Sequence, residues 1–210
     1  LKLLLLILFG SIFINFFIIY FLKSYSLLSN LIIISSFFLI ISSLKDIVKL
    51  FKNKEYNFSR VVSHTAFGFL TLFIGLNYNF SLEKDFNLKV GETQKFGDYS
   101  IEFADLKLKD FKNYKAIIGE FKINNNQNNS EQFLKPEIRI YEKPSTLTYE
   151  ASIRTGLLKD YYITMSNIDR SDYYNIKFQK KPFMTWIWAS VIFISLGGFL
   201  RLFKNANKNY

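Results

Sequence analysis

Four long apolar runs, Leu3–Leu22, Leu27–Leu44, Val61–Leu76 and Phe183–Phe203, punctuate this chain, and none contains Asp or Glu. A helix needs about 20 apolar residues to cross a hydrocarbon core of about 30 Å. The first and last runs meet that length, the second is slightly short, and the third is weakened by Ser63, His64 and Thr65. The first run is too long for the apolar core of a signal peptide and another span soon follows it, which predicts a membrane helix and not a cleaved leader. Between residues 81 and 181 the pattern changes to period two. Tyr99–Leu108, Lys115–Ile123, Pro136–Tyr141 and Tyr173–Phe178 read as half-buried strands. Turn formers separate them: Val90-Gly91-Glu92, Phe96-Gly97-Asp98 and the tract Asn124–Asn129, which reads as a hairpin tip.

Sequential hairpins need no helical crossovers, which argues against a parallel sheet. About 100 residues suffice for a small antiparallel sandwich. The expected fold is therefore a membrane protein with about four α-helical spans and an inserted all-β antiparallel extracytoplasmic domain, sandwich or barrel-like. The expected organisation is two transmembrane helices in 1–44, a basic cytoplasmic loop over 45–60, and a transmembrane helix carrying His64 over 61–80. A β-domain over 81–181, a C-terminal transmembrane helix over 182–203 and a cytoplasmic tail over 204–210 complete it. The first residue is Leu and not Met, so the chain is expected to be part of a longer protein or a separately encoded subunit.

Charge changes the picture only through its placement. The chain carries a net charge of +10, which by itself would suit a nucleic-acid binder. The segment 81–181 nevertheless holds nearly balanced charge, and the excess crowds around the spans: Lys45, Lys49, Lys52, Lys54 and Arg60 in one connector, Arg201, Lys204 and Lys208 in the tail. Under the positive-inside rule both segments are cytoplasmic and residues 81–181 lie on the far side. The basic charge thus signals topology, and no nucleic-acid partner is expected. The absence of cysteine excludes disulfides, thiolate metal sites and thioether attachment through this chain.

Candidate chemistry is sparse. The single histidine, His64, falls within the third run. An ionisable side chain at bilayer depth is costly and is a candidate functional group for that reason; imidazole is also a common axial ligand of haem iron. Helical spacing places Gly68, Thr71 and Gly75 beside it. That small, lightly polar face would admit a flat macrocycle, or it serves close helix packing, the usual role of small residues in membranes. A bis-histidine site would need its second ligand from another polypeptide segment. Trp186-Ile187-Trp188 suits either an interfacial aromatic belt or contact with a cofactor. The acids of the β-segment alternate with lysines as on a solvated surface. No catalytic pair of carboxylates, Ser-His-Asp arrangement or glycine-rich phosphate loop is formed.

One ordered set of short motifs is more specific. Leu134-Lys135-Pro136-Glu137-Ile138-Arg139-Ile140-Tyr141 precedes Glu150-Ala151-Ser152-Ile153, then Lys159-Asp160-Tyr161-Tyr162, then Lys181-Pro182-Phe183-Met184-Thr185-Trp186-Ile187-Trp188 and Gly197-Gly198. Upstream stand Ser63-His64-Thr65-Ala66-Phe67-Gly68, Gly97-Asp98-Tyr99 and Asn113-Tyr114. From about Arg60 to Leu202 this series resembles the C-terminal part of CcmF, the cytochrome c-type biogenesis protein called the haem lyase of system I. It departs from the family pattern at Tyr149 and at Ala189-Ser190.

The resemblance implies a role in attaching haem to apocytochrome c in the periplasm, in a multi-pass protein of the bacterial inner membrane. It further implies an intramembrane haem b, with His64 matching one axial ligand of its iron. The implied partners are the N-terminal CcmF part or subunit, a haem-carrier protein, apocytochrome c and the membrane itself. The tryptophan-rich haem-handling segment and outer histidines of the family belong to its N-terminal part, so bond-forming capacity is not expected of this chain alone. The competing expectation is a membrane-anchored binding or scaffold module without cofactor, in which His64 is structural.

Overall fold

The apolar runs form four helices: α1 (Lys2–Leu22), α2 (Leu27–Lys52), α3 (Phe58–Phe80) and α4 (Met184–Ala206). The computed structural model describes residues 2–22, 26–52, 58–126, 130–168 and 171–206. All four helices are long and apolar enough to cross a membrane. The backbone satisfies its own hydrogen bonds within each helix, as hydrocarbon requires. The chain divides into two compact units, Leu1–Phe80 with Pro182–Tyr210, and Ser81–Lys181.

In the helical unit α3 packs against both α2 and α4, and α1 packs against α2. The helix α2 runs eight residues past the apolar stretch that predicts it and takes up Lys45, Asp46, Lys49 and Lys52. No Pro or Gly interrupts Leu44–Lys52, and lysine is a good helix former, so loss of hydropathy there does not end the helix. The basic loop expected over 45–60 is therefore helical at both ends, and its residues 53–57 fall outside the described residues. Between α1 and α2, residues 23–25 fall outside them too.

The second unit is two antiparallel sheets. Its strands are β1 (Leu82–Leu88), β2 (Thr93–Phe96), β3 (Tyr99–Asp110), β4 (Tyr114–Asn125), β5 (Ser130–Leu134), β6 (Glu137–Glu142), β7 (Ser145–Glu150), β8 (Ser152–Arg154), β9 (Lys159–Asn167) and β10 (Tyr174–Pro182). One sheet has the order β1-β10-β9-β8; the other has β2-β3-β4-β6-β7, with β5 also paired to β4. The inward rows of both sheets form one core: Tyr99, Ile101 and Phe103 of β3, Phe121 and Ile123 of β4, Ile163 and Met165 of β9, and Ile176 and Phe178 of β10.

The rings of Phe103 and Phe121 stack with centroids 4.4 Å apart; burying a side chain of that size contributes about 2 kcal/mol. Gly119 leaves room for this pair, since a Cβ there would lie 2.7 Å from Phe121 Cε2 and 2.8 Å from Met165 Sδ. A β-bulge between Phe103 and Asp105 re-aims the outer half of β3. Gly91 and Gly97 take positive φ, 87° and 56°, at the turns flanking β2, where glycine avoids the Cβ clash of other residues. The asparagine tract lies between β4 and β5, which pair antiparallel from Asn125 and Ser130 inward; residues 127–129 fall outside the described residues.

Candidate functional site

The helix α3 is fixed on two sides by contacts in which small residues let backbones approach. Towards α2, a Cβ on Gly68 would lie 2.8 Å from Ile40 Cγ1, and one on Gly75 would lie 2.9 Å from Ile33 Cγ1. Ser29 Oγ donates a hydrogen bond of 3.0 Å to the Gly75 carbonyl across the same seam. Towards α4, Ser59 Oγ donates to the Gly197 carbonyl at 2.6 Å and Ser63 Oγ donates to the Ile194 carbonyl at 3.4 Å. A Cβ on Gly197 would lie 3.0 Å from the Ser63 nitrogen and 3.1 Å from the Ser59 carbonyl oxygen, whereas one on Gly198 would meet nothing within 4 Å. Serine hydroxyls bonded to carbonyls across a close helix pair are the expected adhesive where no water competes.

These seams decide between the two readings of the small-residue face. Gly68 and Gly75 are buried under isoleucines of α2 and offer no bare surface to a macrocycle; helix packing is what they serve. Thr71 is likewise committed, its hydroxyl donating back to the Phe67 and Gly68 carbonyls at 3.1 and 3.0 Å.

His64 itself is exposed on α3, between these two seams, beside the exposed Phe67. Its imidazole has no hydrogen-bond partner among the described residues. One helical turn earlier, Arg60 lies 3.9 Å from Asp46 of α2 and closes the polar end of the same face. One exposed imidazole could supply a single ligand to a haem iron. It cannot by itself complete the coordination, and no cluster of three or more metal-ligating side chains occurs among the described residues.

A cavity of the helical unit lies elsewhere. It has a volume of about 490 Å³, and its walls include Val62, Thr65 and Phe69 of α3 with Trp186, Ala189 and Phe193 of α4. His64 does not line it, because the helical repeat turns that side chain to another face of α3. Volume and chemistry thus point to different places, and the histidine marks the candidate site because the cavity wall carries no metal-ligating group. Trp186 stacks on Phe73 with centroids 5.9 Å apart, and Phe183, at φ 61°, packs on the same ring at 5.8 Å. Trp188 is exposed. Trp186 is exposed as well, and of the two only Trp186 has a ring contact with α3 among the described residues.

In the β-unit, motif residues scattered along the sequence converge on the outer face of the larger sheet. Arg139 Nε donates to Glu137 Oε2 at 2.8 Å, and its guanidinium also lies 4.0 Å from Glu150. Below it is the Tyr114 ring, 5.0 Å away, which packs on Tyr141 at 5.3 Å. Glu137 foremost, then Tyr141, raises the pKa of Arg139 and fixes it as a cation. This arrangement is a brace across β4, β6 and β7, with every charge paired and no nucleophile beside a base. Sequence reading gave these residues no role beyond the resemblance, because the register joining them is fixed only on folding.

Membrane-length helices carrying an inserted antiparallel β-sandwich define a membrane protein with a folded sandwich domain. Residues 79–182 match the family model described as the CcmF C-terminal β-sandwich, and the chain is similar to part of the CcmF proteins. The cytochrome c-type biogenesis protein CcmF of Haemophilus influenzae is 29% identical over 153 residues, which cover 72% of this chain and 23% of that protein. CcmF of Escherichia coli is 27% identical over 143 residues, covering 68% of this chain and 22% of its own length. The chain thus spans less than a quarter of the curated relatives it matches. A solved structure titled "Cytochrome c Heme Lyase CcmF" superposes with a TM-score of 0.68 at 16% identity, covering 95% of this chain and 33% of that one. At that identity the likeness concerns the fold.

Proposed function

We propose that this chain forms the C-terminal portion of a membrane haem-ligation factor for cytochrome c maturation, and that His64 supplies one axial ligand of an intramembrane b-type haem. The observation that carries the proposal is the placement of His64. It is the one imidazole in the sequence, it sits within a membrane-length helix, and its side chain is exposed although the glycines on the same side of the helix are covered by α2. A histidine kept for packing would be expected within a seam or hydrogen-bonded to a neighbour, since an idle polar group in hydrocarbon is costly.

The chain's own residues would act by positioning. The seams at Gly68, Gly75 and Gly197 hold α3 against rotation, so the imidazole is presented in one direction. A ring nitrogen of His64 would hold the iron, and Phe67 would offer an apolar flank. When bound, the haem supplies redox chemistry, while the protein contributes ligand and orientation. The opposite ligand is assigned to the N-terminal part of the family, which the relatives have and this chain does not span. The β-domain is assigned to the periplasm, where it would face a haem-carrier protein and apocytochrome c. The basic segments around Lys45–Arg60 and Lys204 are assigned to the cytoplasmic side of the inner membrane.

The test is the yield of haem-stained cytochrome c in cells whose only copy of this chain carries His64→Ala, with the N-terminal part co-expressed. The expected result is at least a tenfold loss, partly restored by imidazole in the medium. A normal yield at normal protein levels would leave the cofactor-free scaffold reading as the better account.

A further inference from the structure

Along β9 the inward-facing row reads Met165, Ile163, Tyr161 and then Lys159; along β10 it reads Ile176, Phe178 and then Lys180. Strand alternation places each lysine on the core side of its sheet. The contacts agree: Lys159 Nζ lies 5.6 Å from the Tyr161 ring centroid, and Lys180 Nζ lies 5.9 Å from the ring of Tyr99 in the opposing sheet. Tyr99 and Tyr161 are themselves edge to face at 5.8 Å, and both are buried. Two lysines therefore stand side by side over a tyrosine floor at one end of the sandwich.

Inward-pointing charge is often an edge-strand device against aggregation. That explanation does not reach Lys180, because β10 is an interior strand of its sheet and pairs β1 at that position; beside Lys159 the pairing with β8 has already ended at Tyr161. Partly buried charge is ordinarily paired, yet neither ammonium belongs to any ion pair among the described residues, in a domain where Lys107, Lys115, Lys122, Lys135, Lys177 and Lys181 all do. Burial, and next the neighbouring Lys159, lowers the pKa of Lys180; Asp98 opposes this only as a weaker influence. Lys180 is thus partly desolvated beside a second cation, and neither lysine has an ion-pair partner among the described residues.

We propose that Lys159 and Lys180 form a binding site for a phosphate group. Free phosphate and the headgroup phosphate of an anionic phospholipid present the same chemistry, and the experiment separates the two sources.

The test uses the full chain, wild type and Lys159→Gln/Lys180→Gln, with unfolding of the β-domain followed by near-ultraviolet tyrosine circular dichroism. In neutral detergent at fixed ionic strength, inorganic phosphate is expected to raise the wild-type midpoint and leave the double variant unmoved. In phosphatidylcholine nanodiscs, added phosphatidylglycerol is expected to raise the wild-type midpoint and abolish its response to phosphate, which identifies the lipid as the source. A phosphate response that persists beside phosphatidylglycerol supports the same site with a soluble source. A wild type insensitive to both, or equal shifts in the double variant, would overturn the proposal. Single Lys159→Gln and Lys180→Gln variants guard against misfolding of the double one, and each is expected to halve the shift or more.

Discussion

At the scale of single residues, the glycines of the helical unit show how position outranks residue type. Gly197 and Gly198 are adjacent and alike in sequence, yet only Gly197 faces the α3 backbone. Gly197→Leu is expected to destabilise the helical unit by about 1–3 kcal/mol, the usual cost of forcing a large side chain into a packed site, while Gly198→Leu changes little. Detergent-dependent thermal unfolding of the two variants checks this, and equal effects would refute the assignment of the seam. The same contrast explains what could be read beforehand. His64 was identifiable as a candidate because a lone ionisable group in an apolar run is conspicuous. The occupation of Gly68 and Gly75 by Ile40 and Ile33 was not, since it depends on which neighbour α3 meets. The inward placement of Lys159 and Lys180 was hidden because Lys159-Asp160-Tyr161-Tyr162 alternates equally well with either face inward.

At the scale of elements, hydropathy set the existence of the helices well and their ends less well. Leu27–Leu44 marks the apolar part of α2, but the helix continues to Lys52 because charged residues end hydropathy without ending a helix. Strands with clean alternation, such as Tyr99–Leu108, were legible. The strand β1, Leu-Glu-Lys-Asp-Phe-Asn-Leu, was not: its polar majority is held by pairing with β10, where Glu83 bonds Lys177 and lies 3.6 Å from Lys181.

Glu120 is set likewise between Lys135 at 2.7 Å and Lys107 at 3.0 Å. Hydrogen bonds from Lys177, and from Lys135 and Lys107, hold both carboxyls below their ordinary value of 4.5. A depressed folded-state pKa contributes stability that is present above the unfolded value and is lost as pH falls through the folded one. The β-domain is therefore expected to lose stability as pH drops below about 4.5, with a shallower fall in Glu83→Gln/Glu120→Gln. Urea unfolding midpoints across that range measure it, and parallel curves for the two proteins would contradict it. Glu83 is solvent-exposed and Glu120 is half-buried, so salt is expected to weaken the difference.

At the scale of the whole molecule, two kinds of cohesion operate side by side. The helical unit relies on close backbone approach and serine-to-carbonyl bonds in an apolar medium; the sandwich relies on a water-excluded aromatic core. The family resemblance was legible because its motifs recur in order, and the sandwich shows why part of that order exists: Glu137, Arg139, Tyr141, Glu150 and Tyr114 meet on one face. The one imidazole of the sequence is exposed on α3, in a chain that spans less than a quarter of the curated relatives it matches.

The central claim is therefore best examined in the assembled protein. The decisive measurement is the reduced-minus-oxidised absorption spectrum of the purified complex of this chain with the N-terminal part of the family, for wild type and His64→Ala. The account predicts a b-type haem spectrum in the wild type and its loss in a variant complex of unchanged composition. A b-type spectrum that survives His64→Ala unaltered would contradict it.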